Sequence, residues 1–128
     1  RVPAARLGLC YPLNGIKRYV ESLGVSTAKR ILLAAEEFDA EAMLDVGVLD
    51  YLVPRAELEI RSFALAESIA GLAPLALTAM KKVIRQAASG QIDWEQARKW
   101  SHQCATSDDL QEGFAAQREK RTPRFTGR

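Results

Sequence analysis

Ser107-Asp108-Asp109-Leu110-Gln111-Glu112-Gly113-Phe114, continued from Glu119 by Lys120-Arg121-Thr122-Pro123-Arg124-Phe125-Thr126-Gly127, is the most informative stretch of this chain. An acid with a second carboxylate three positions on marks a helix start. Asp109 with Glu112 fits that reciprocal capping arrangement, with Asp where Ser or Thr is usual. The helix is expected to run to about Lys120. Thr122 to Arg128 reads as an irregular tail, because Pro123 lacks the N–H that a helix interior needs. Arg118, Lys120, Arg121, Arg124 and Arg128 crowd this end, while the remaining cations are scattered among acids.

Upstream of this stretch the pattern stays helical. Asp93 is placed to cap a helix on which Trp94, Ala97, Ser101 and Cys104 align. Pro74 suits a helix first turn, and Ala76, Ala79, Met80, Val83, Ile84 and Ala87 follow it as one stripe. Glu57–Ala70 carries Leu58, Ser62, Leu65 and Ile69 on a shared face, with Gly71 as its stop. Val48–Val53 is β-rich, alternates imperfectly and ends at Pro54, which predicts a short strand. Asp39 is expected to cap a helix from Ala40 to Val46, and Ser26 one from Thr27 to about Ala34. Gly15–Gly24 predicts a short helix with Ile16, Tyr19, Val20 and Leu23 on one stripe, stopped by Gly24. Residues 1–14 hold Pro3, Gly8, Pro12 and Asn14, and read as a loop with at most one strand.

The tally is about seven helices and one or two short strands, and two strands alone bury no sheet. The opening Arg1-Val2-Pro3-Ala4 offers no cap and no polar leader. The expectation is a chain that starts inside a larger fold. The division expected within it is 1–54, the end of a strand-and-helix core, and 55–128, a helical region.

The chain has 128 residues, 48% of them hydrophobic and 27% charged, which suits an ordinary globular domain. A net charge of +2 with no aromatic–basic patch argues against a nucleic-acid partner. No apolar run approaches the roughly 18–20 residues of a membrane span, so no membrane partner is expected. Cys10 and Cys104 lie far apart and carry no metal spacing. Two thiols without a disulfide framework suggest a reducing, cytoplasmic setting.

Four stretches, in order, resemble the enoyl-CoA hydratase/isomerase (crotonase) family. They are Leu7-Gly8-Leu9 with Gly15, Arg18 and Gly24; Asp39-Ala40-Glu41-Ala42 with Gly47-Val48-Leu49-Asp50 and Val53-Pro54; Ala73-Pro74-Leu75-Ala76 with Lys81-Lys82; and the Ser107–Gly127 stretch. The resemblance covers almost the whole chain, and the last stretch is its most specific part. It implies the C-terminal portion of a crotonase-like α/β fold. In that fold a spiral of ββα turns is followed by helices that build homotrimers, often paired into hexamers. It also implies acyl-CoA thioester substrates, with coenzyme A belonging to the substrate and no separate cofactor.

The family's two oxyanion-hole amides and its first hydratase glutamate come from upstream of the matched segment. Hydration needs one carboxyl to activate water and another to protonate carbon. The second glutamate's position falls on Ala4, and the aspartate of some family isomerases and dehalogenases falls on Pro12. Neither side chain can move a proton, so no catalytic residue is assigned and two-glutamate hydration is disfavoured. Of the ionisable neighbours Arg6, Tyr11, Lys17 and Arg18, Tyr11 is the one conceivable carbon acid. A parent protein could isomerise, decarboxylate or hydrolyse with upstream groups. The alternative is a non-catalytic helical oligomerisation domain.

Lys120 matches a family lysine that reaches the CoA nucleotide bound to a neighbouring subunit. A flexible point charge suits phosphate, although a helix-end cation favoured by the macrodipole is an equal reading. The family aromatic that stacks on adenine corresponds to Gln117. Leu9, Pro12 and Leu13, with Cys10 and Ile16, are candidate acyl-pocket residues by position, or simple core. His102 stands alone, and both cysteines read as small buried apolar groups. Trp94 and Trp100 read as packing anchors on different helix faces. Lys81 and Lys82 read as a solvated face. No metal site is expected.

Overall fold

A computed structural model describes all 128 residues. The chain divides into two compact units, Arg1–Arg55 and Ala56–Arg128.

The first unit opens with a single 3-10 turn, Ala5–Leu7, closed by Gly8 in the left-handed region. Helix α1 spans Leu13–Leu32 and begins directly after Pro12, whose ψ of 132° leaves the helix first turn free to start. It is broken at Gly24, where φ 76° and ψ 165° admit only glycine without strain. The stop predicted at Gly24 is therefore present, but the chain resumes helix immediately. Ser26 lies inside the resumed segment instead of capping it. Ala28, Ile31 and Leu32 are buried, together with Ala35. In the last turn of α1, Arg30 makes a two-pronged hydrogen bond to Glu36 at 2.8 and 2.6 Å and lies 4.8 Å over the Phe38 ring. Helix α2 spans Ala40–Asp45, and Asp39 caps it by accepting the Ala42 N–H at 2.8 Å, as its position predicts.

The strand predicted over Val48–Val53 does not form, nor does any strand in residues 1–14. A β-rich sequence becomes a strand only when a neighbouring ladder takes its backbone groups. Here the N–H groups of Val48 and Leu49 both donate back to Met43 O, at 2.9 and 3.2 Å, and prolong the turn after α2.

The second unit is helical throughout: α3 Leu58–Ala70, α4 Pro74–Ala88, α5 Trp94–Ala105 and α6 Asp108–Glu119. Helices α3 and α4 meet at 107° across the Gly71–Ala73 link. Pro74 takes the first position of α4, where its missing N–H costs nothing. Helix α4 packs on α5, and α5 on α6. Asp93 caps α5 by accepting from Gln96 N at 3.0 Å. Of the stripe predicted on α4, Ala76, Ala79 and Val83 are half-buried, while Met80 and Ile84 are 54% and 66% exposed. Helix α3 buries no residue, and Ile60 and Phe63 are 71% and 63% exposed. No single helix is long and apolar enough to cross a membrane.

The cap of α6 departs from expectation. Ser107, not Asp109, accepts from Leu110 N, at 3.2 Å. Asp109 is the second residue of the helix, within its first turn, and is buried, at 3% exposure. Its carboxylate is engaged by the tail, as described below.

Candidate functional site

Two sites can be built from these elements, one in each unit. In the first unit, Ala4, Ala5, Leu9, Cys10, Tyr11, Ile16, Val20, Val25, Ala28, Lys29, Leu32 and Leu33 line a hollow of about 300 Å³. The 3-10 turn supplies one wall and α1 the other. Leu9, Cys10 and Ile16 of the sequence candidates thus come together. Pro12 and Leu13 do not join them: Pro12 serves as the turn into α1, and Leu13 is 78% exposed. Cys10 is exposed rather than buried, with its Sγ 3.6 Å from Tyr11 O.

The hollow holds Ala4 and Tyr11 together and contains no carboxylate. Its only groups with a titratable proton are Cys10, Tyr11 and Lys29. Tyr11 is held by α1. Its ring lies over Gly15, where an added Cβ would stand 2.5 Å from Tyr11 Cε1, so glycine here leaves the room the ring occupies. The ring also meets Tyr19 edge to face, with centroids 5.8 Å apart. Burial, and then the neighbouring Tyr11, pushes the Tyr19 phenol upward and keeps it protonated. Sequence reasoning raised Tyr11 for its chemistry but not its seating. The signal was a glycine four residues along, one helical turn away, at a position that needs no positive φ.

The second site is the end of the chain. Helix α6 closes at Lys120, whose φ of 53° and ψ of 40° are left-handed. Arg121 N donates to Ala116 O at 3.0 Å, and the chain reverses along α6. Glu112 accepts both arms of the Arg121 guanidinium, at 2.6 and 2.8 Å, and the Arg124 N–H at 2.7 Å. These donors hold the Glu112 carboxyl down at about 2. Glu119 takes the remaining Arg121 nitrogen at 2.6 Å, and the two carboxylates together push the guanidinium further up. One turn nearer the start of α6, Asp109 accepts from Thr126 N at 2.6 Å and Gly127 N at 2.9 Å. Its own N–H donates to Arg128 O at 3.2 Å. Phe125 lies over Gly113, 3.7 Å from where a Cβ would stand. Residues 121–128 thus form a strap tied to one face of α6.

Lys120 is exposed and takes part in none of the six ion pairs. Gln117 lines an apolar hollow of about 280 Å³ with Leu75, Leu110, Phe114 and Phe125. Lys82 lies 4.7 Å over the Trp100 ring, while Trp94 is 64% exposed. His102 is exposed. No cluster of His, Cys, Asp or Glu could hold a metal ion.

The whole chain, residues 1–128, matches the family model described as enoyl-CoA hydratase/isomerase. It is 31% identical over 125 residues to the methylmalonyl-CoA decarboxylase of Escherichia coli K12, covering 94% of this chain and 48% of that protein. It is 31% identical over 129 residues to the 2,3-dehydroadipyl-CoA hydratase of the same organism, covering 99% of this chain and 51% of that protein. Among solved structures, an enoyl-CoA hydratase from Mycobacterium tuberculosis H37Rv matches with a TM-score of 0.81 and 29% identity, over 98% of this chain and 51% of that one. The chain spans about half the length of the curated relatives it matches. The motifs and the fold agree, and the chain belongs to the enoyl-CoA hydratase/isomerase family.

Proposed function

We propose that this chain is the acyl-CoA-handling C-terminal half of a family protein whose chemistry is not two-carboxylate hydration. One observation carries the reading: Ala4 and Tyr11 share a hollow that contains no carboxylate. Water addition needs a base for the water and an acid for carbon, and the hollow supplies neither as a carboxyl group. Leu9, Cys10 and Ile16 give it apolar walls suited to an acyl chain. Lys120 offers a cation to the phosphate groups of coenzyme A.

A reaction that leaves charge on the α-carbon of a thioester has different needs. When a malonyl-type thioester loses its carboxylate as carbon dioxide, the bond's electron pair passes to the α-carbon and thioester oxygen. The α-carbon then takes a proton. No base is required, only a proton donor, and the Tyr11 phenol fits that role. A relative named as a methylmalonyl-CoA decarboxylase favours this direction.

The chain alone is expected to be inactive, because the family's oxyanion donors lie upstream of the matched segment. Preorganised donors of that kind are often the largest catalytic contribution. Assembly as a homotrimer or hexamer in the cytoplasm is part of the same reading. The exposed apolar surface of α3 supports a partner surface. It equally supports a second reading, a helical assembly domain without catalysis.

The test compares the purified chain and the intact protein on crotonyl-CoA and methylmalonyl-CoA. The expected result is no reaction by the chain alone, and decarboxylation without hydration by the intact protein. Hydration of crotonyl-CoA by either overturns the reading. An intact protein that assembles yet turns over no thioester favours the assembly domain.

A further inference from the structure

Tyr11 stands just ahead of α1, so the helix does not fix its side chain directly. Three neighbours restrict it instead. Pro12 follows it, and a residue before proline is confined to extended backbone. Gly15 leaves a gap on the helix surface. A Cβ there would stand 2.5 and 2.9 Å from Tyr11 Cε1 and Cδ1, and 3.6 Å from Cζ, the carbon that bears the hydroxyl. A helical side chain leans over the turn N-terminal to its own Cα. Tyr19, one turn beyond Gly15, therefore reaches back over that gap and meets the ring that fills it. The two rings stand 5.8 Å apart between centroids, with their planes at 69°. That edge-to-face arrangement is the one aromatic quadrupoles favour. Tyr11 lines the hollow and Tyr19 does not, so Tyr19 lies behind it, away from any bound thioester. Burial, and then Tyr11 itself, keep the Tyr19 phenol protonated, so it sets no negative charge beside its neighbour.

We infer that Tyr19 is a positioning residue: its ring, packed edge to face on Tyr11, holds the Tyr11 hydroxyl in one orientation, so that the α-carbon of the substrate thioester is protonated on one side only. This rests on the decarboxylation reading above, in which Tyr11 is the proton donor. When carbon dioxide leaves, its bond pair makes the α-carbon part of a planar enolate. The Tyr11 O–H bond then breaks, its electron pair staying on the oxygen, and the proton forms the new C–H bond. Water returns a proton to the phenolate. A planar carbon can take the proton from either side, so the side is decided by where the donor is held. A ring free to turn delivers from more than one direction, and a ring wedged between Gly15 and Tyr19 does not.

The experiment runs the intact protein on methylmalonyl-CoA in deuterium oxide. One deuteron then marks the α-carbon of the product, and NMR of a chiral derivative gives the ratio of its two hands. The variants are Tyr19→Leu, Tyr19→Met, Tyr19→Phe and Tyr11→Phe. The wild type is expected to favour one hand by about tenfold or more, and Y19L to lower that ratio about fivefold, as for a donor displaced by a fraction of an ångström. Y19M fills the space in a different way, should repeat the loss, and carries the test if Y19L fails to fold. Y19F keeps the ring and should stay within about twofold of the wild-type ratio. KM should be unchanged in all three Tyr19 variants, because Tyr19 does not line the hollow. A ratio unchanged in Y19L and Y19M, a loss in Y19F as large as theirs, or a rise in KM that accompanies the loss overturns the positioning role. A wild type that yields both hands equally, or a Tyr11→Phe variant that changes neither the ratio nor the rate, instead defeats the reading of Tyr11 as the donor.

Discussion

The hollow in residues 4–33 and the strap of residues 121–128 on α6 are built by opposite means. The hollow is a matter of shape. Its walls are Leu9, Ile16, Val20, Val25 and Leu32, and its one aromatic hydroxyl is seated by the absence of a Cβ at Gly15. The strap is a matter of directed bonds. Two carboxylates, Asp109 and Glu112, accept three backbone N–H groups and a guanidinium between them. Shape tolerates exchange of one apolar side chain for another. A bond network does not, because each lost acceptor leaves a donor unmet.

That contrast can be broken by substitution. The largest effect is expected at Asp109. Asp109→Ala removes a buried acceptor and strands the N–H groups of Thr126 and Gly127, which should cost about 3 kcal/mol in a denaturant melt. A cost no greater than that of truncating Leu9 would abolish the distinction. Next comes Gly15→Ala. The added methyl meets the far edge of the Tyr11 ring, and the ring can swing aside, so the expected cost is about 1 kcal/mol. The sharper readout is loss of the tyrosine near-ultraviolet dichroism, as Tyr11 leaves Tyr19. An unchanged spectrum would show that the seat does not hold the ring.

The smallest effect belongs to pH. The Glu112 carboxyl is depressed from 4.5 to about 2. A depressed acid contributes stability that is complete above its ordinary value and is lost as pH falls toward the folded one. The strap should therefore be indifferent to pH from neutrality down to about 5, and loosen between 4.5 and about 2. Because Glu112 is partly open to solvent, salt will weaken the effect. Proton-exchange rates of the Arg124 amide across that range report it directly, and Glu112→Gln should flatten the profile.

The sequence made local pairings readable and distant ones invisible. Asp39 and Asp93 cap their helices because donor and acceptor lie three residues apart, and that spacing can be seen in one dimension. Asp109 looked like the same device, yet its partners lie 17 and 18 residues away. The cap fell to Ser107, which is equally close to the helix start. Val48–Val53 has strand composition, but composition does not supply a neighbour, and the segment turns back on Met43 instead. Leu13 and Pro12 are candidates for an acyl pocket by position alone. An α1 that starts earlier than the glycine suggested carries both away from it. Tyr11 was legible as chemistry, whereas its seat on Gly15 required the helix to be in place.

Helix α3 has a consequence for the life of the protein in a cell. Leu58, Ile60, Phe63, Leu65 and Ile69 stand open on its surface. A newly made copy with nothing against α3 displays the kind of short apolar segment that chaperones grip and proteases follow. The time between synthesis and burial of that helix becomes the interval in which the chain is rescued or destroyed. At a given rate of synthesis, the slower α3 finds cover, the lower the abundance of the protein falls.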